Sequence, residues 1–326
     1  MTRLVRIAAI ASLALALVAT LLAGSVYLLA LRALPDLAGS HSVRGLRDRV
    51  EVIRDAAGVP HIYAAHVEDL FFAQGYVTAQ DRLWQMELGR RTAWGRLSEV
   101  FGPGTLEADR LSRTLGLGRA AAAEEQEIEP EGRRLLEAYS AGVNAYAASR
   151  EGRLPIEFQL LFVGFEPWRP VDSLAWGKMM AWYMGGNYAS ELLRAALVAK
   201  MGPERAAELM PSVPPGVVPQ LAPGIDPAML GTSVLERLDQ VAGLVRPPSD
   251  ALGSNNWVVS GARTEIGRPL LANDPHLSVQ VPPAWYAVHL VGGGVDVAGF
   301  SLPGTPGVVV GHNGRLAWGI TNVGAD

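Results

Sequence analysis

The chain begins with a run of 25 residues, Ile7 to Leu31, that carries no charged side chain. As a helix rising 1.5 Å per residue, this run would be roughly 37 Å long, enough to cross a hydrocarbon layer of ~30 Å. Because the run is apolar on every side, it does not fit a helix on the surface of a soluble protein, which has one polar face. The run therefore predicts a segment that lies in a membrane or directs export.

Two basic residues, Arg3 and Arg6, precede the apolar run, so the positive-inside rule assigns residues 1–6 to the cytoplasm. Residues 7–31 are then either an uncleaved transmembrane anchor or a signal peptide. A signal peptide usually has only about 7–15 apolar residues, which favours the anchor. The rest of the chain is expected outside the cytoplasm, in the periplasm or at the cell surface, and secreted if the segment is cleaved.

Composition excludes several kinds of chemistry. The 326 residues include no cysteine, which rules out disulfides, cysteine–zinc sites, iron–sulfur clusters and thiol nucleophiles. The net charge is −4 and no block of basic residues occurs, so nucleic acid is not an expected partner. No motif for an organic cofactor is found.

Beyond the apolar run, the sequence pattern changes twice. Residues 32–210 are mainly of helical period, residues 211–253 are rich in proline and predict a spacer, and residues 254–326 alternate like strands between glycine-rich turns. This order predicts an α+β fold. We predict helices over 68–101, 119–150, 171–209 and, inside the spacer, near 232–243, with strands over 43–53, 256–260, 269–272, 286–291 and 295–300.

One dipeptide at the end of the spacer could carry out catalysis. Gly253 and Ser254 directly precede the strand-like Asn256–Val259. If the chain were cut before Ser254, the new α-amine, with a pKa of about 7.7–8.0, could act as general base for the hydroxyl of the same residue. Gly253 would permit a strained backbone before the scissile bond. Gly-Ser is also a common turn dipeptide, and local chemistry alone does not decide between the two interpretations.

A series of ordered motifs distinguishes the catalytic interpretation from the turn. The motifs are Asp55-Ala-Ala-Gly-Val-Pro-His-Ile-Tyr-Ala64, the segment Asp69–Glu87, Arg90-Arg91, Gly95–Glu99, Gly253-Ser-Asn-Asn-Trp257, Asn273-Asp-Pro-His-Leu277, Pro303-Gly304, His312-Asn-Gly314 and Ala317–Asn322. In this order, from about residue 43 to its end, the chain resembles the penicillin amidase family of N-terminal-nucleophile hydrolases.

The resemblance implies an αββα sandwich, incomplete in these residues and preceded by one transmembrane helix. It implies cleavage between Gly253 and Ser254, with Ser254 as the nucleophile. His276 matches a residue that helps to hold the nucleophile's amine and lends a backbone donor to the oxyanion. The second oxyanion donor matches either Asn322 or Val323, and the sequence leaves that choice open.

The resemblance also implies a metal and a partner chain. Glu191 and Asp326 match carboxylates that bind structural Ca²⁺ in penicillin acylases, and hard oxygen ligands suit that ion. A helix-surface glutamate and an ordinary aspartate are the alternative. Residues 32–210 match the small chain, and residues 254–326 match the start of a large chain that forms a heterodimer with it. Since the family's large chain continues for hundreds of residues, we expect these 326 residues to be the N-terminal part of a longer precursor, inactive alone.

The implied reaction is hydrolysis of a linear N-acyl amide through an acyl-enzyme on Ser254. Candidate substrates are acyl-homoserine lactones and β-lactam side-chain amides; His276 slightly favours lactone and cephalosporin types. Two alternatives stay open: a non-catalytic envelope binding protein that keeps the fold, and a peptidase of the same fold.

Overall fold

The computed structural model describes residues 3–185, 188–210, 254–277 and 279–321. The helices in these ranges are α1 (Arg3–Ala33), α2 (Val67–Trp94), α3 (Ser98–Phe101), α4 (Leu106–Leu115), α5 (Leu117–Glu127), α6 (Pro130–Ser149), α7 (Ile156–Leu160), α8 (Pro170–Gly185), α9 (Tyr188–Met201) and α10 (Pro203–Leu209). The strands are β1 (Glu51–Arg54), β2 (Pro60–Tyr63), β3 (Ser254–Val259), β4 (Leu270–Pro275), β5 (Tyr286–Gly292), β6 (Val295–Ser301), β7 (Val310–His312) and β8 (Ala317–Trp318).

Helix α1 contains the apolar run. Within the described ranges, Val5–Ala33 is the one helical segment that is long and apolar enough to cross a membrane, with a mean hydropathy of 2.4 and none of its most apolar window buried. A signal sequence near the N-terminus also meets this criterion, so both alternatives stand.

The centre of the globular part is the crossing of α2 and α6. A Cβ atom added at Gly75 would lie 2.1 Å from the carbonyl oxygen of Tyr139, and one added at Gly142 would lie 1.8 Å from that of Phe72. The two backbones therefore touch, which only glycine allows. Leu83, Met86 and other side chains of the core close around this contact.

Helix α2 ends where its sequence contains a glycine. Gly95 has φ +63°, and its backbone N–H donates to the carbonyl oxygens of the last helical turn, at Arg91 and Thr92. A left-handed glycine at this position ends a helix because other residues pay a steric cost there. The single helix predicted over 68–101 is thus divided into α2 and α3.

Six strands form a sheet in the order β1-β2-β5-β6-β7-β8. Only the β2–β5 pair is parallel, with His61 opposite His289, so strands from both sides of the spacer share this sheet. One face packs on α2 through Ile62 and Leu290, both fully buried, together with Leu70. The α+β class predicted from the sequence is confirmed.

The start of the sheet differs from the prediction. The strand expected over 43–53 is present only as β1, because the Asp69 carboxylate accepts the backbone N–H groups of Arg47 and Asp48 and so holds that part of the chain outside the sheet. After a turn, Pro60 begins β2. A first strand position tolerates proline, since its missing N–H is not needed there.

Strands β3 and β4 form a separate antiparallel hairpin. It is far more exposed than the six-stranded sheet: Trp257 and Val258 are 66% and 70% exposed. The spacer 211–253, including the helix predicted near 232–243, lies outside the described residues, and the domain boundaries stay predictions.

Candidate active site

Ser254 is the first residue of β3 and lies opposite Pro275 in the β3–β4 ladder. His276 follows Pro275 directly, so the hairpin register places the predicted nucleophile and the predicted histidine at the same end of the hairpin. The side chain of Ser254 is half-buried. Two residues 22 positions apart in the sequence are therefore neighbours in the fold.

The ring of His276 has one polar partner among the described residues. Its Nε2 lies 3.0 Å from Oδ2 of Asp274, a carboxylate that is itself 76% exposed. A carboxylate at this distance favours the tautomer with the proton on Nε2. Asp274 therefore orients the ring and favours one of its tautomers.

The segment after β8 returns the chain to Ser254. The Thr321 hydroxyl donates a hydrogen bond of 3.0 Å to the backbone carbonyl of Ser254. The next residue is Asn322, one of the two predicted oxyanion donors. Thr321, the last described residue before that position, therefore contacts the predicted nucleophile.

Asn273 fixes this segment against the hairpin. Its side-chain amide donates to the carbonyls of Ile320 (2.8 Å) and Asn255 (3.0 Å), and its Oδ1 accepts the backbone N–H of Ile320 at 3.0 Å. A Cβ atom at Gly319 would lie 2.8 Å from the Cβ of Asn273, so glycine is required for this close approach. The Asn273 side chain thus links β3, at Asn255, to the segment after β8, at Ile320.

The motif His312-Asn-Gly314 forms the turn that directs this segment. Asn313 Oδ1 accepts the backbone N–H groups of Arg315 (3.2 Å) and Leu316 (2.9 Å), and Gly314 adopts φ +77°. Asparagine side chains stabilise turns in this way, and glycine supplies the left-handed backbone. The turn joins β7 to β8, and the residues after β8 then contact the hairpin.

Helices from the first region hold the loop between β6 and β7. Gln74 and Gly307 exchange two hydrogen bonds of 2.9 Å, and the Tyr139 hydroxyl accepts the backbone N–H of Gly304 at 3.1 Å. Burial raises the pKa of the Tyr139 phenol, so it stays protonated. The motif residues of α2 therefore position the sheet rather than contact Ser254.

A similar contact joins α2 to β5. The Tyr286 hydroxyl donates to Asp81 at 2.5 Å, and Arg54 donates to the same carboxylate. Burial raises the pKa of Tyr286 well above its ordinary value. Nearby, Nδ1 of His61 lies 2.9 Å from Nδ1 of His289, across the parallel β2–β5 pair. These groups connect the regions before and after the spacer.

The other predicted site residues are not brought together by the described geometry. Gly253, Asn322, Val323 and Asp326 lie outside the described residues. Glu191 lies on α9 with an exposed side chain. Across the ranges that the structure covers, no group of three or more histidine, aspartate or glutamate side chains that could hold a metal ion is found.

Comparison with known proteins identifies the family. The sequence model of the penicillin amidase family matches residues 49–326. The chain belongs to this family.

Two curated relatives are similar over most of this chain. Penicillin acylase 2 proenzyme of Pseudomonas sp. strain SE83 is 39% identical over 90% of the chain, and acyl-homoserine lactone acylase QuiP of Pseudomonas aeruginosa is 36% identical over 90%. The chain spans only 39% and 35% of the lengths of these relatives. A solved thermostable penicillin G acylase from Alcaligenes faecalis is 29% identical, with a TM-score of 0.44, and the match covers 55% of this chain and 98% of that one.

Three residues near Ser254 had no role in the sequence interpretation. Asn273, Asp274 and Thr321 all lie inside motifs that the sequence analysis singled out, but a motif does not say which member makes which bond. The Thr321–Ser254 contact spans 67 residues, and only the paired strands reveal it.

Proposed function

We propose that this chain belongs to an acylase precursor that is cut between Gly253 and Ser254 and then hydrolyses a linear N-acyl amide through an acyl-enzyme on Ser254. The observation that carries the proposal is the convergence of three segments at Ser254. The serine begins a strand directly after the spacer, Pro275 and His276 lie across the ladder, and Thr321 binds the Ser254 carbonyl.

The first step forms the acyl-enzyme. The free α-amine of Ser254 takes the proton of its own hydroxyl, directly or through a water, while Oγ attacks the amide carbonyl carbon. The tetrahedral intermediate collapses, the proton passes to the departing nitrogen, and the amine product leaves. Water, deprotonated by the same amine, then attacks the ester carbonyl. A carboxylic acid is released and the serine hydroxyl is restored.

Maturation uses the same serine before it has a free amine. Oγ of Ser254 attacks the carbonyl carbon of Gly253, the Gly253–Ser254 amide bond breaks and an ester forms in its place. Water hydrolyses this ester and leaves Ser254 as an N-terminus. The word "proenzyme" in the name of the Pseudomonas sp. relative supports a precursor of this kind.

Backbone N–H groups stabilise the negative oxygen of both intermediates. We assign this role to the backbone of His276 and to that of Asn322 or Val323. The Thr321 bond to Ser254 supports the second assignment, because residues 322 and 323 follow it immediately. Removing one donor from such a site commonly costs 10²–10³-fold in rate, on the order of 3 kcal/mol.

The names of the relatives guide the choice of substrate. Acyl-homoserine lactones and β-lactam side-chain amides are the proposed small-molecule substrates. We further propose that residues 32–210 remain bound to the chain beginning at Ser254 as a heterodimer, held by the β2–β5 pair. α1 anchors the enzyme, with the catalytic part outside the cytoplasm. Calcium on Glu191 and Asp326 stays a prediction, and no step depends on it.

The test compares three proteins expressed from the complete reading frame: wild type, Ser254→Ala and the control Ser260→Ala. Ser260 is an exposed residue of the same hairpin region whose hydroxyl only accepts a bond from Ala262. We expect wild type and Ser260→Ala to release fatty acid from an acyl-homoserine lactone or phenylacetate from penicillin G, and Ser254→Ala to lose at least 1,000-fold.

Three results would contradict the proposal. Continued hydrolysis by Ser254→Ala would exclude Ser254 as the nucleophile. Turnover of peptides but not of acyl amides by the wild type would assign a peptidase. Tight binding of acyl amides by processed wild-type protein, without any turnover, would assign a binding protein.

A further inference from the structure

The end of α1 is bound to the globular part by a buried arginine. Nη2 of Arg150, at the C-terminus of α6, donates hydrogen bonds to the carbonyls of Arg32 (2.9 Å) and Leu34 (2.8 Å). Arg150 is only 4% exposed. The last carbonyls of a helix need such donors, because they have no partner within the helix. This contact fixes where the body of the protein sits relative to α1.

A cavity of about 710 Å³ opens beside this contact, between the 36–44 segment, α2 and the end of α6. Its charged lining consists of Arg44, Arg150 and Arg153 against a single carboxylate, Asp36. Histidine, serine, tyrosine and amide groups complete the polar wall, including His41, Ser40, Ser42, Ser149 and Asn144.

Two arginines of this cavity have unused donors. Arg44 and Arg153 are exposed, and within the described ranges neither lies within ion-pair distance of a carboxylate. The Arg150 guanidinium is already bonded: its Nη2 donates to the two carbonyls, and its Nη1 lies 3.6 Å from Oδ2 of Asp36. The cavity therefore fits an anion rather than a neutral or cationic group.

The cavity lies close in sequence to the end of α1, and this position indicates which anion could reach it. The apolar helical segment ends at Ala33, and the first lining residue, Asp36, is three positions later. Three residues span at most about 11 Å. The headgroup layer on each side of a bilayer is about 5–8 Å thick. If α1 spans a membrane, Asp36 therefore lies within about 11 Å of the end of the apolar segment, a range that includes the level of the lipid phosphates.

We propose that this cavity binds the phosphate of an anionic glycerophospholipid at the surface of the membrane that α1 crosses. Guanidinium groups bind phosphate oxygens through paired N–H donors, which Arg44 and Arg153 supply. The proposal rests on α1 as an anchor but is independent of the chemistry at Ser254. Its effect would be to hold the globular part in one orientation at the membrane.

The test uses the full chain, with α1, in detergent micelles and native mass spectrometry. Phosphatidylglycerol is compared with phosphatidylcholine of the same acyl chains, and inorganic phosphate is added in a separate arm. The Arg44→Gln/Arg153→Gln variant is compared with Arg110→Gln/Arg205→Gln, which removes two exposed arginines far from the cavity. Because all four side chains are exposed, equal melting temperatures are expected and are measured first.

We expect phosphatidylglycerol to bind wild type and control variant at least tenfold more tightly than phosphatidylcholine, and the cavity variant to lose that preference. Equal affinity of the cavity and control variants for phosphatidylglycerol would overturn the proposal. So would displacement of the lipid by millimolar phosphate, which would assign a free anion. Lipid binding is read out without hydrolysis, so failure of the acylase proposal gives a separate result.

Discussion

The α2–α6 pair and the β3–β4 hairpin are built in opposite ways. Where α2 crosses α6, backbones touch at Gly75 and Gly142 and side chains are fully enclosed. The hairpin that carries Ser254 leaves Trp257 largely exposed and is joined to the six-stranded sheet mainly through the hydrogen bonds of Asn273. Changes in the helical pair should therefore alter stability, whereas changes in the hairpin should alter chemistry with little loss of stability.

The largest expected effect is on the buried charges of α2. Glu87 is fully buried and accepts bonds from Arg90 and Arg91. Asp172 and Glu99 also pair with these arginines, but Glu87 is the carboxylate that the two buried guanidinium groups share. Glu87→Gln removes that shared charge, so we expect a loss of about 3–5 kcal/mol in the free energy of unfolding. The control is Glu107→Gln, which breaks an exposed pair with Arg110 and should cost less than about 1 kcal/mol. Equal losses of unfolding free energy in urea for the two variants would show that burial does not make the Glu87 pairs more important than the exposed Glu107 pair.

The helix crossing gives the next effect. Gly142→Ala would place a methyl group 1.8 Å from the Phe72 carbonyl oxygen and force α2 and α6 apart. We expect destabilisation of about 3 kcal/mol. In Gly132→Ala, on the same helix, the nearest atom is Ile128 Cγ2 at 3.7 Å, so that variant should be neutral or slightly more stable. Comparing the melting temperatures of the two variants separates the effect of the backbone contact from the effect of helix propensity.

The hairpin should respond differently. Asn273→Leu removes three hydrogen bonds at a partly exposed site, so we expect a stability loss of about 1 kcal/mol but at least a tenfold fall in the rate of cleavage before Ser254. Thr264→Val is the control, because it removes hydroxyl bonds to Gly261 and Arg268 at the other end of the hairpin. Similar cleavage rates in the two variants would mean that Asn273 does not position the site.

The smallest effect is a pH dependence at the surface of the helical region. The hydrogen bond from Arg96 lowers the pKa of Glu166 to about 2, against about 4.3 in an unfolded chain. The pair therefore stabilises the fold above about pH 4.3, and that contribution disappears as the pH falls towards 2. Both side chains are partly exposed, so less than about 1 kcal/mol is involved. Glu166→Gln should lower the melting temperature at pH 5 more than at pH 2.5.

The sequence predicted those parts of the fold that depend on local pattern. The apolar run, the long α2 and the strands β5 and β6 all follow from periodicity. β7 and β8 were not predicted, because strands of three and two residues have no period and exist only through their neighbours. β1 was predicted too long because the competing partner, Asp69, lies in a later helix.

The candidate site was predictable as a set of motifs but not as a geometry. Ser254 and His276 were singled out, and their proximity follows from a hairpin register that the sequence left open. The bonds of Asn273 reach both a neighbouring strand and a segment 47 residues away. Contacts over such distances depend on how the chain is paired, and no local spacing encodes them.

The most direct test of the account is the N-terminal sequence and intact mass of the protein expressed from its complete reading frame. The account predicts one chain that ends at or before Gly253 and another that begins Ser-Asn-Asn-Trp, with a single uncut chain for Ser254→Ala. A single uncut chain for the wild type, folded and recovered from the membrane fraction, would contradict the assignment of Ser254 as an N-terminal nucleophile.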